Sequence, residues 1–426
     1  MLRKLVLHNV GPAKDLALDP VASRLNLLTG DNGLGKSFLL EAAWWSLTRT
    51  WHESPAVPSA PNAFIEHHFD GDSKISESRT EWIPDGQYWK RAPGRPPNPG
   101  LVMYARVDGS FSVWDPARNY RLYSRADGGE TTSPAAYQFT SSEVLWGLRR
   151  RVQAAGQERE EVLCLGLVDE WREWQRAADP RFELLKRLLA ALGPEDQPLE
   201  PGTLFRPYSD DVRPIPTIRM PYGQDVPITY APAGVQRMCK LAYLLAWVMS
   251  EHEGESTRLG RAPSHQVIML VDEIETHLHP RWQLTVLPSL LAAIQGWRAM
   301  EPPAVQVMVT THSPLVLTSI EPLFDPSIDA LWKLDLVDGE VRMGRDVWRK
   351  RGDALMWLES DVFDETRPIS PPARMALEEA AALMADDTAS QEQADALRDR
   401  LRTLLADTDP FWLNWRSWRR SRGWPR

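Results

Sequence analysis

The sequence predicts an α/β fold built on a buried, largely parallel sheet, and three segments carry that expectation. A glycine-rich loop follows a short apolar strand and opens a helix at Leu25 to Trp45. A second apolar strand ends in Asp272-Glu273, and a third ends in Thr310-Thr311-His312. Apolar runs with polar groups gathered at their carboxyl ends are what buried strands of an α/β sheet look like, with ligands bound at those ends.

Residues 1–50 read as two or three strands and one helix. The opening "MLRKLVLHNVG" alternates like a strand and lacks the apolar core and small-residue cleavage site of a signal peptide. Gly30 to Ser37 spell the full phosphate-loop pattern G-x-x-x-x-G-K-[ST], and Ser37 begins a run with Phe38, Leu39, Ala42, Trp45 and Leu47 at helical spacing. Gly30, Gly33 and Gly35 allow a tight turn that aims N–H groups at phosphate oxygens, beside the positive end of the helix dipole. Asp31, Asn32, Leu34 and Phe38 complete the stretch expected to wrap the nucleotide. Lys36 is placed to reach the β- and γ-phosphates and the Ser37 hydroxyl to ligate Mg²⁺, so ATP and Mg²⁺ are the expected ligands.

Residues 51–141 change character. The strand-like segments "AFIEHHF" and "LVMYARVDGSFSVWD" flank a Pro/Gly cluster at 92–100, and Asp108-Gly109 is a good hairpin turn, so an antiparallel β lobe is expected. Residues 142–192 read as helical, with Trp171, Trp174, Phe182, Leu185, Leu188 and Leu189 on the apolar side. A Pro-rich connector, Pro194 to Pro221, completes a lobe ending at 220.

Residues 221–350 form the second half of the core. Asp272, at the end of the run from Gln266, is expected to hold the Mg²⁺ shell through Ser37 or water, and Glu273 to polarise the attacking water. His312, directly after the third strand, is placed to reach a γ-phosphate. Glu275, His277 and His279 admit a metal reading, because two histidines lie two apart beside a carboxylate, although zinc sites on helices favour spacings of three or four. Residues 351–426 are helical, with Pro372 just inside a helix start and a Trp/Arg-rich tail. In that tail Asp409 caps a short helix with Pro410 first; Phe411, Trp415 and Trp418 line one face, and Arg416, Arg419, Arg420 and Arg422 the other. Such a helix either binds nucleic acid through phosphate contacts and stacking or docks on a partner or on the acidic helices before it.

A formal charge of −9 rules out a polybasic chain, so any nucleic-acid contact has to be local. Cys164 and Cys239 alone offer no disulfide framework and no C-x-x-C pair, which fits a reducing cytoplasm. The most apolar helical run, Leu241 to Met249, is too short to span a bilayer. Nineteen tryptophans point to extended packing surfaces between lobes or subunits. No repeat of 20 to 50 residues argues for a solenoid.

Lys36 and Asp272 stand over two hundred positions apart, so lobes are inserted between the two halves of the core. With "GDNGLGKS", "VDEIETHLHPRWQ" and "TTHSPLVL" in that layout, the chain resembles the ABC-type ATPases of the RecF, SMC and overcoming-lysogenization-defect group. It is most similar to the stand-alone bacterial AAA-21 or AAA-15 ATPases, including the ATPase subunits of Septu-like phage-defence systems. The resemblance implies an ABC-type P-loop core with an inserted β lobe and helical lobe, and ATP sandwiched between two protomers in a homodimer or higher even oligomer. It implies a signature turn at Tyr230 to Trp247, with Gly234, Gln236 and Arg237 matching and Pro232 standing where the signature serine is usual. Glu275, His277 and His279 would then touch the opposite protomer. Proline offers neither a hydroxyl nor an N–H, so slow hydrolysis with intact ATP binding is expected. The implied role is a sensor or regulator of a separate effector, a nuclease, in phage defence; the alternatives are a RecF-like ATPase acting on DNA and an ATP-bound scaffold with little turnover.

Overall fold

The structure is a computed structural model that describes residues 1–426 apart from 53, 72–74, 91–96, 120–135, 155–156, 195, 298–301, 364–368 and 425–426, with the side chains of 152–157 also left aside. Its main sheet has eight strands in the order Glu340–Asp346, Asp329–Val337, Leu25–Gly30, Ala304–Thr310, Gln266–Val271, Leu101–Ala105, Phe111–Trp114 and Tyr137–Phe139. The five strands from Asp329–Val337 to Leu101–Ala105 are parallel, and the remaining three are antiparallel. Register brings the functional strand ends together: Thr310 pairs with Leu28, and Val271 with both Val309 and Ala105. The phosphate loop, the acidic pair and His312 therefore leave the sheet along one edge.

A second sheet of five antiparallel strands runs Asp15–Leu18, Leu2–His8, Phe64–Asp70, Ile75–Ile83, Tyr88–Trp89. Between the two sheets lies the helix after the phosphate loop, Lys36–Thr48. Its apolar residues are not confined to one stripe, because both of its sides are covered. Leu39, Leu40, Ala42, Ala43, Trp44, Trp45 and Leu47 are all buried in one cluster with Leu2, Leu5 and Leu7 of one sheet and Leu28, Ile268 and Met308 of the other. Full burial of each large side chain stabilises by roughly 1.5–3 kcal/mol. The loop thus sits on a helix held from two directions.

The antiparallel strands expected over 51–141 are present, but they are shared out: 64–70, 75–83 and 88–89 join the N-terminal strands, while 101–105 enters the main sheet as a parallel strand. Alternation marks a half-buried strand but does not name its neighbour. The Asp108-Gly109 turn forms as expected, with Gly109 at φ 79° and Ser110 donating its N–H to the Asp108 carboxylate at 2.8 Å.

Helix was expected throughout 142–192, and this is corrected by a hairpin. After a capped helix, Ser141–Trp146, strands Leu148–Ala154 and Gln157–Cys164 pair antiparallel. Arg149 bridges Glu160 at 3.1 Å, Arg150 bridges Glu161 at 2.7 Å and Arg151 bridges Glu158 at 3.6 Å. Charge complementarity of this kind replaces the apolar alternation by which strands are usually found. Helices Leu167–Ala177 and Pro180–Leu192 follow, the second capped by Asp179 with proline in its first turn. Trp171, Trp174, Leu185, Leu188 and Leu189 are buried, as the spacing predicts. The Pro-rich connector runs into a small sheet of Glu200–Pro201, Thr217–Arg219 and Asp225–Pro227, which leads to the long signature helix, Ala233–Arg258.

Residues Met1–Trp357 make one compact unit and Leu358–Arg426 another. The second holds helices Pro371–Ala385, Gln391–Leu404 and Phe411–Ser421. Asp409 accepts the Phe411 N–H at 2.9 Å, so the tail helix starts one residue later than the sequence suggests. Trp412 and Trp415 are buried with Ala376, Ala380 and Leu401. Arg419, only 2% exposed, bridges Asp395 at 2.8 Å, and Arg422 donates to the carbonyls of Asp386 and Asp387. The tail docks on the acidic helices before it, leaving Arg416 and Arg420 exposed.

Candidate nucleotide site

The phosphate loop is a run of backbone conformations that only glycine adopts without strain. Gly30, Gly33 and Gly35 have φ of 131°, 81° and 100°. A Cβ on Gly30 would lie 2.2 Å from the Leu334 carbonyl oxygen and one on Gly35 2.5 Å from the Pro12 ring, so steric crowding adds to the conformational demand. Asp31, Asn32 and Gly33 are exposed at the tip. Leu34 is buried in the core and the Phe38 ring lies against Gly11, so these two present only backbone N–H groups to a ligand. Lys36 curls back over the loop, its Nζ donating to the carbonyls of Gly30 and Asp31 at 2.7 Å each. Burial lowers its pKa, while Glu273 and Asp272 oppose that shift.

The two halves of the site meet at Asp272. Its Oδ1 accepts from the Ser37 hydroxyl at 2.9 Å and from the Thr310 hydroxyl at 2.7 Å. Thr310 Oγ1 in turn accepts the Glu273 N–H at 2.7 Å. A serine hydroxyl and a carboxylate oxygen in contact are the hard, sparse donor set that suits Mg²⁺ shared with phosphates and water. Glu273 has φ of 45°, a strained value for a non-glycine residue, which turns its side chain toward the loop edge. There its Oε1 stands 3.8 Å from His312 Nε2. Burial, and then the Lys36 cation, lower the His312 pKa, so the ring is held neutral and able to accept a proton or a hydrogen bond.

Glu275 is half-buried, and its carboxylate receives the Thr311 hydroxyl at 2.8 Å and the His312 N–H at 2.5 Å. These bonds fix the backbone at His312. The same contacts remove Glu275 from a metal site with His277 and His279: His279 Nδ1 accepts the Arg281 N–H at 3.3 Å as a helix cap, and His277 lines a separate cavity. Among the described residues no three His, Cys, Asp or Glu side chains converge to hold a metal.

The signature turn packs against the backbone of the acidic strand end. Pro232 and Ala233 are exposed at the start of the signature helix. Gln236 donates to the Ala231 carbonyl at 2.8 Å, and the Arg237 guanidinium donates to the carbonyls of Val107, Asp272 and Glu273. A Cβ on Gly234 would stand 2.5 Å from the His277 carbonyl oxygen, so the turn packs on the loop after the acidic pair. Within the protomer, Gln236 is bonded to the turn just before its helix and Arg237 to the carbonyls beside the acidic strand end. The helix start itself is exposed.

Two positions beside the acidic strand end escaped the sequence reading. Thr310 is the hinge between Asp272 and Glu273, and hydroxyl-to-carboxylate pairing across strands leaves no trace in spacing. Arg106 follows the parallel strand next to Asp272, with its guanidinium 4.3 Å over Tyr104 and bonded to Ser112. The unbroken apolar run Leu101 to Tyr104 was the available signal, since buried parallel strands do not alternate.

Parts of the chain are similar to known proteins. Residues 167–318 match the family described as "AAA domain, putative AbiEii toxin, Type IV TA system". A 53-residue stretch, 12% of the chain, is 43% identical to the retron Vc95 probable ATPase of Vibrio cholerae, and a 54-residue stretch is 41% identical to the retron Ec83 probable ATPase of Escherichia coli. These matches span 9% and 8% of those proteins. Among solved structures, the chain is similar to the SMC head domain from Thermotoga maritima, at 15% identity and a TM-score of 0.40 over 82% of this chain and 99% of that one. It is also similar to the recombination mediator RecF-ATPrS, at 13% identity and a TM-score of 0.36 over 80% and 98%. Among the described residues no helix is long and apolar enough to cross a membrane. A complete phosphate loop is joined through Ser37 to the acidic strand end, and that strand lies inside the segment similar to the AAA family, so the chain carries the parts of an AAA-type ATPase site.

Proposed function

We propose that the protein binds ATP with Mg²⁺, closes two protomers around it, hydrolyses it slowly, and by doing so regulates a separate effector in an anti-phage defence system, the effector being a nuclease. The observation that carries the reading is the Ser37, Asp272, Thr310, Glu273 chain of hydrogen bonds, which holds a metal-binding carboxylate and a water-polarising carboxylate beside one phosphate loop. On binding, the loop N–H groups take the phosphates and Lys36 exchanges two carbonyls for the β- and γ-oxygens. When bound, Mg²⁺ neutralises phosphate charge from Ser37 and Asp272. Glu273 accepts the proton of the attacking water, and neutral His312 hydrogen-bonds the γ-phosphate. The exposed start of the signature helix supports a partner-facing role. The family description, which names a toxin, and the retron names of the relatives support an effector-linked setting.

Pro232 favours limited turnover, because the helix start it caps supplies no side-chain hydrogen bond. Losing one charge-assisted bond to phosphate weakens the closed state by about 1.5–3 kcal/mol. The test is ATP turnover together with sedimentation of the wild type, Lys36→Ala and Glu273→Gln. The wild type is expected below about 1 s⁻¹. Glu273→Gln should be at least ~100-fold slower yet dimeric with ATP, and Lys36→Ala should neither bind ATP nor dimerise. Dimerisation that ignores ATP, or turnover unchanged in Glu273→Gln, overturns the reading.

A further inference from the structure

A cavity of about 210 Å³ lies between the hairpin after strand Leu101–Ala105 and the first turns of the signature helix, with no phosphate-loop residue in its walls. Its walls are mainly apolar, with Phe111, Leu241 and Leu244 among them. Three cations, Arg106, Arg237 and Lys240, line it against one carboxylate, Asp108. Most of that charge is engaged. Arg106 is bonded to Ser112 and lies 3.4 Å from Glu41, Arg237 holds three carbonyls, and Asp108 accepts the Ser110 N–H. Lys240 is different: its Nζ donates to the neutral Ser141 hydroxyl at 2.7 Å, and no carboxylate among the described residues pairs with it. Burial alone acts on it, lowering its pKa, with no neighbouring anion opposing the shift. A half-buried ammonium with two N–H donors to spare, at the wall of an apolar cavity, is a group that folding leaves undercompensated.

We propose that this cavity binds a small molecule with an apolar body and a single carboxylate head, the carboxylate pairing with Lys240 and the body lying on Phe111, Leu241 and Leu244. One uncommitted cation matches one negative charge; a phosphate dianion would require a second free cation, and the two arginines are already bonded. The apolar walls supply affinity and the charge pair supplies orientation, as in most small-molecule sites. Arg237 forms part of the wall and holds the carbonyls of Asp272 and Glu273, so an occupant bears on the acidic strand end. That coupling rests on the ATPase reading above, whereas binding does not.

The experiment is a fluorine-NMR titration of the full-length protein with 4-(trifluoromethyl)benzoate and with its uncharged amide, with and without ATP. Saturable binding of the acid is expected at about 1 mM or tighter, with the amide about tenfold weaker or worse, and with Lys240→Met and Lys240→Gln each losing about tenfold for the acid alone. Leu244→Trp, which fills the cavity, should abolish binding of both probes. Acid and amide binding equally to the wild type, absence of saturation, or displacement of the acid by ATP each overturns the proposal. The acid–amide comparison needs no variant, so a misfolded substitution does not blunt the test. Because the readout is binding, failure here is separate from failure to hydrolyse ATP.

Discussion

Thr310 and His67 show how much single buried side chains determine. Thr310 is wholly buried and serves two partners, donating to Asp272 and accepting from Glu273 N–H. Thr310→Val keeps the shape and strands a buried donor, at a cost of about 1–3 kcal/mol. We expect a lower melting temperature and a higher Mg²⁺ concentration for half-maximal ATP binding, both measurable by calorimetry; an unchanged Mg²⁺ requirement would remove Thr310 from the site. His67 is buried between the N-terminal sheet and the Lys36–Thr48 helix, against Phe69 and Trp45, and burial pushes its pKa down to about 3. Between pH 6.5 and about 3 the unfolded chain therefore binds a proton that the folded chain refuses. Stability is full above pH 6.5 and falls on acidification through that window, by about 1.4 kcal/mol per pH unit for this group. His67→Phe should flatten the pH dependence of chemical denaturation by that amount, and a slope equal to the wild type's would show that His67 takes its proton while folded.

At the scale of elements, the signature helix carries the clearest prediction. It begins at Pro232 with no side-chain cap. Pro232→Ser supplies both a cap, worth about 1 kcal/mol, and a hydroxyl for phosphate. Higher thermal stability and faster ATP turnover are expected together; stabilisation with unchanged turnover would confine Pro232 to a helix-capping role. The same scale shows what the sequence made legible. The phosphate loop, the Asp272 strand and the His312 strand were readable because each couples an apolar run to a functional group at its end, and local chemistry dictates both. The hairpin at 148–164 was not, since its strands are held by Arg–Glu pairs that look the same on a helix surface. Nor could spacing reveal that Arg237 bonds the carbonyls of Val107, Asp272 and Glu273, because these partners are far away in sequence.

For the whole molecule, the proposal predicts a dimer that forms on ATP and persists in Glu273→Gln. The tail makes a second prediction. Arg419 is bonded inside its own unit, while Arg416 and Arg420 are exposed. Arg416→Glu with Arg420→Glu should leave the unfolding free energy within about 0.5 kcal/mol of the wild type's, as surface changes do, whereas Arg419→Glu should destabilise the C-terminal unit. If the double variant loses affinity and salt dependence for single-stranded DNA in a filter-binding assay, the exposed pair touches nucleic acid; no loss assigns the tail to docking alone. The guanidinium of Arg237 ties the start of the signature helix to the carbonyls of Asp272 and Glu273. In the proposed dimer, a neighbour gripping that helix would bear directly on the backbone that carries Glu273, so the grip would work as a lever whose short arm is the chemistry.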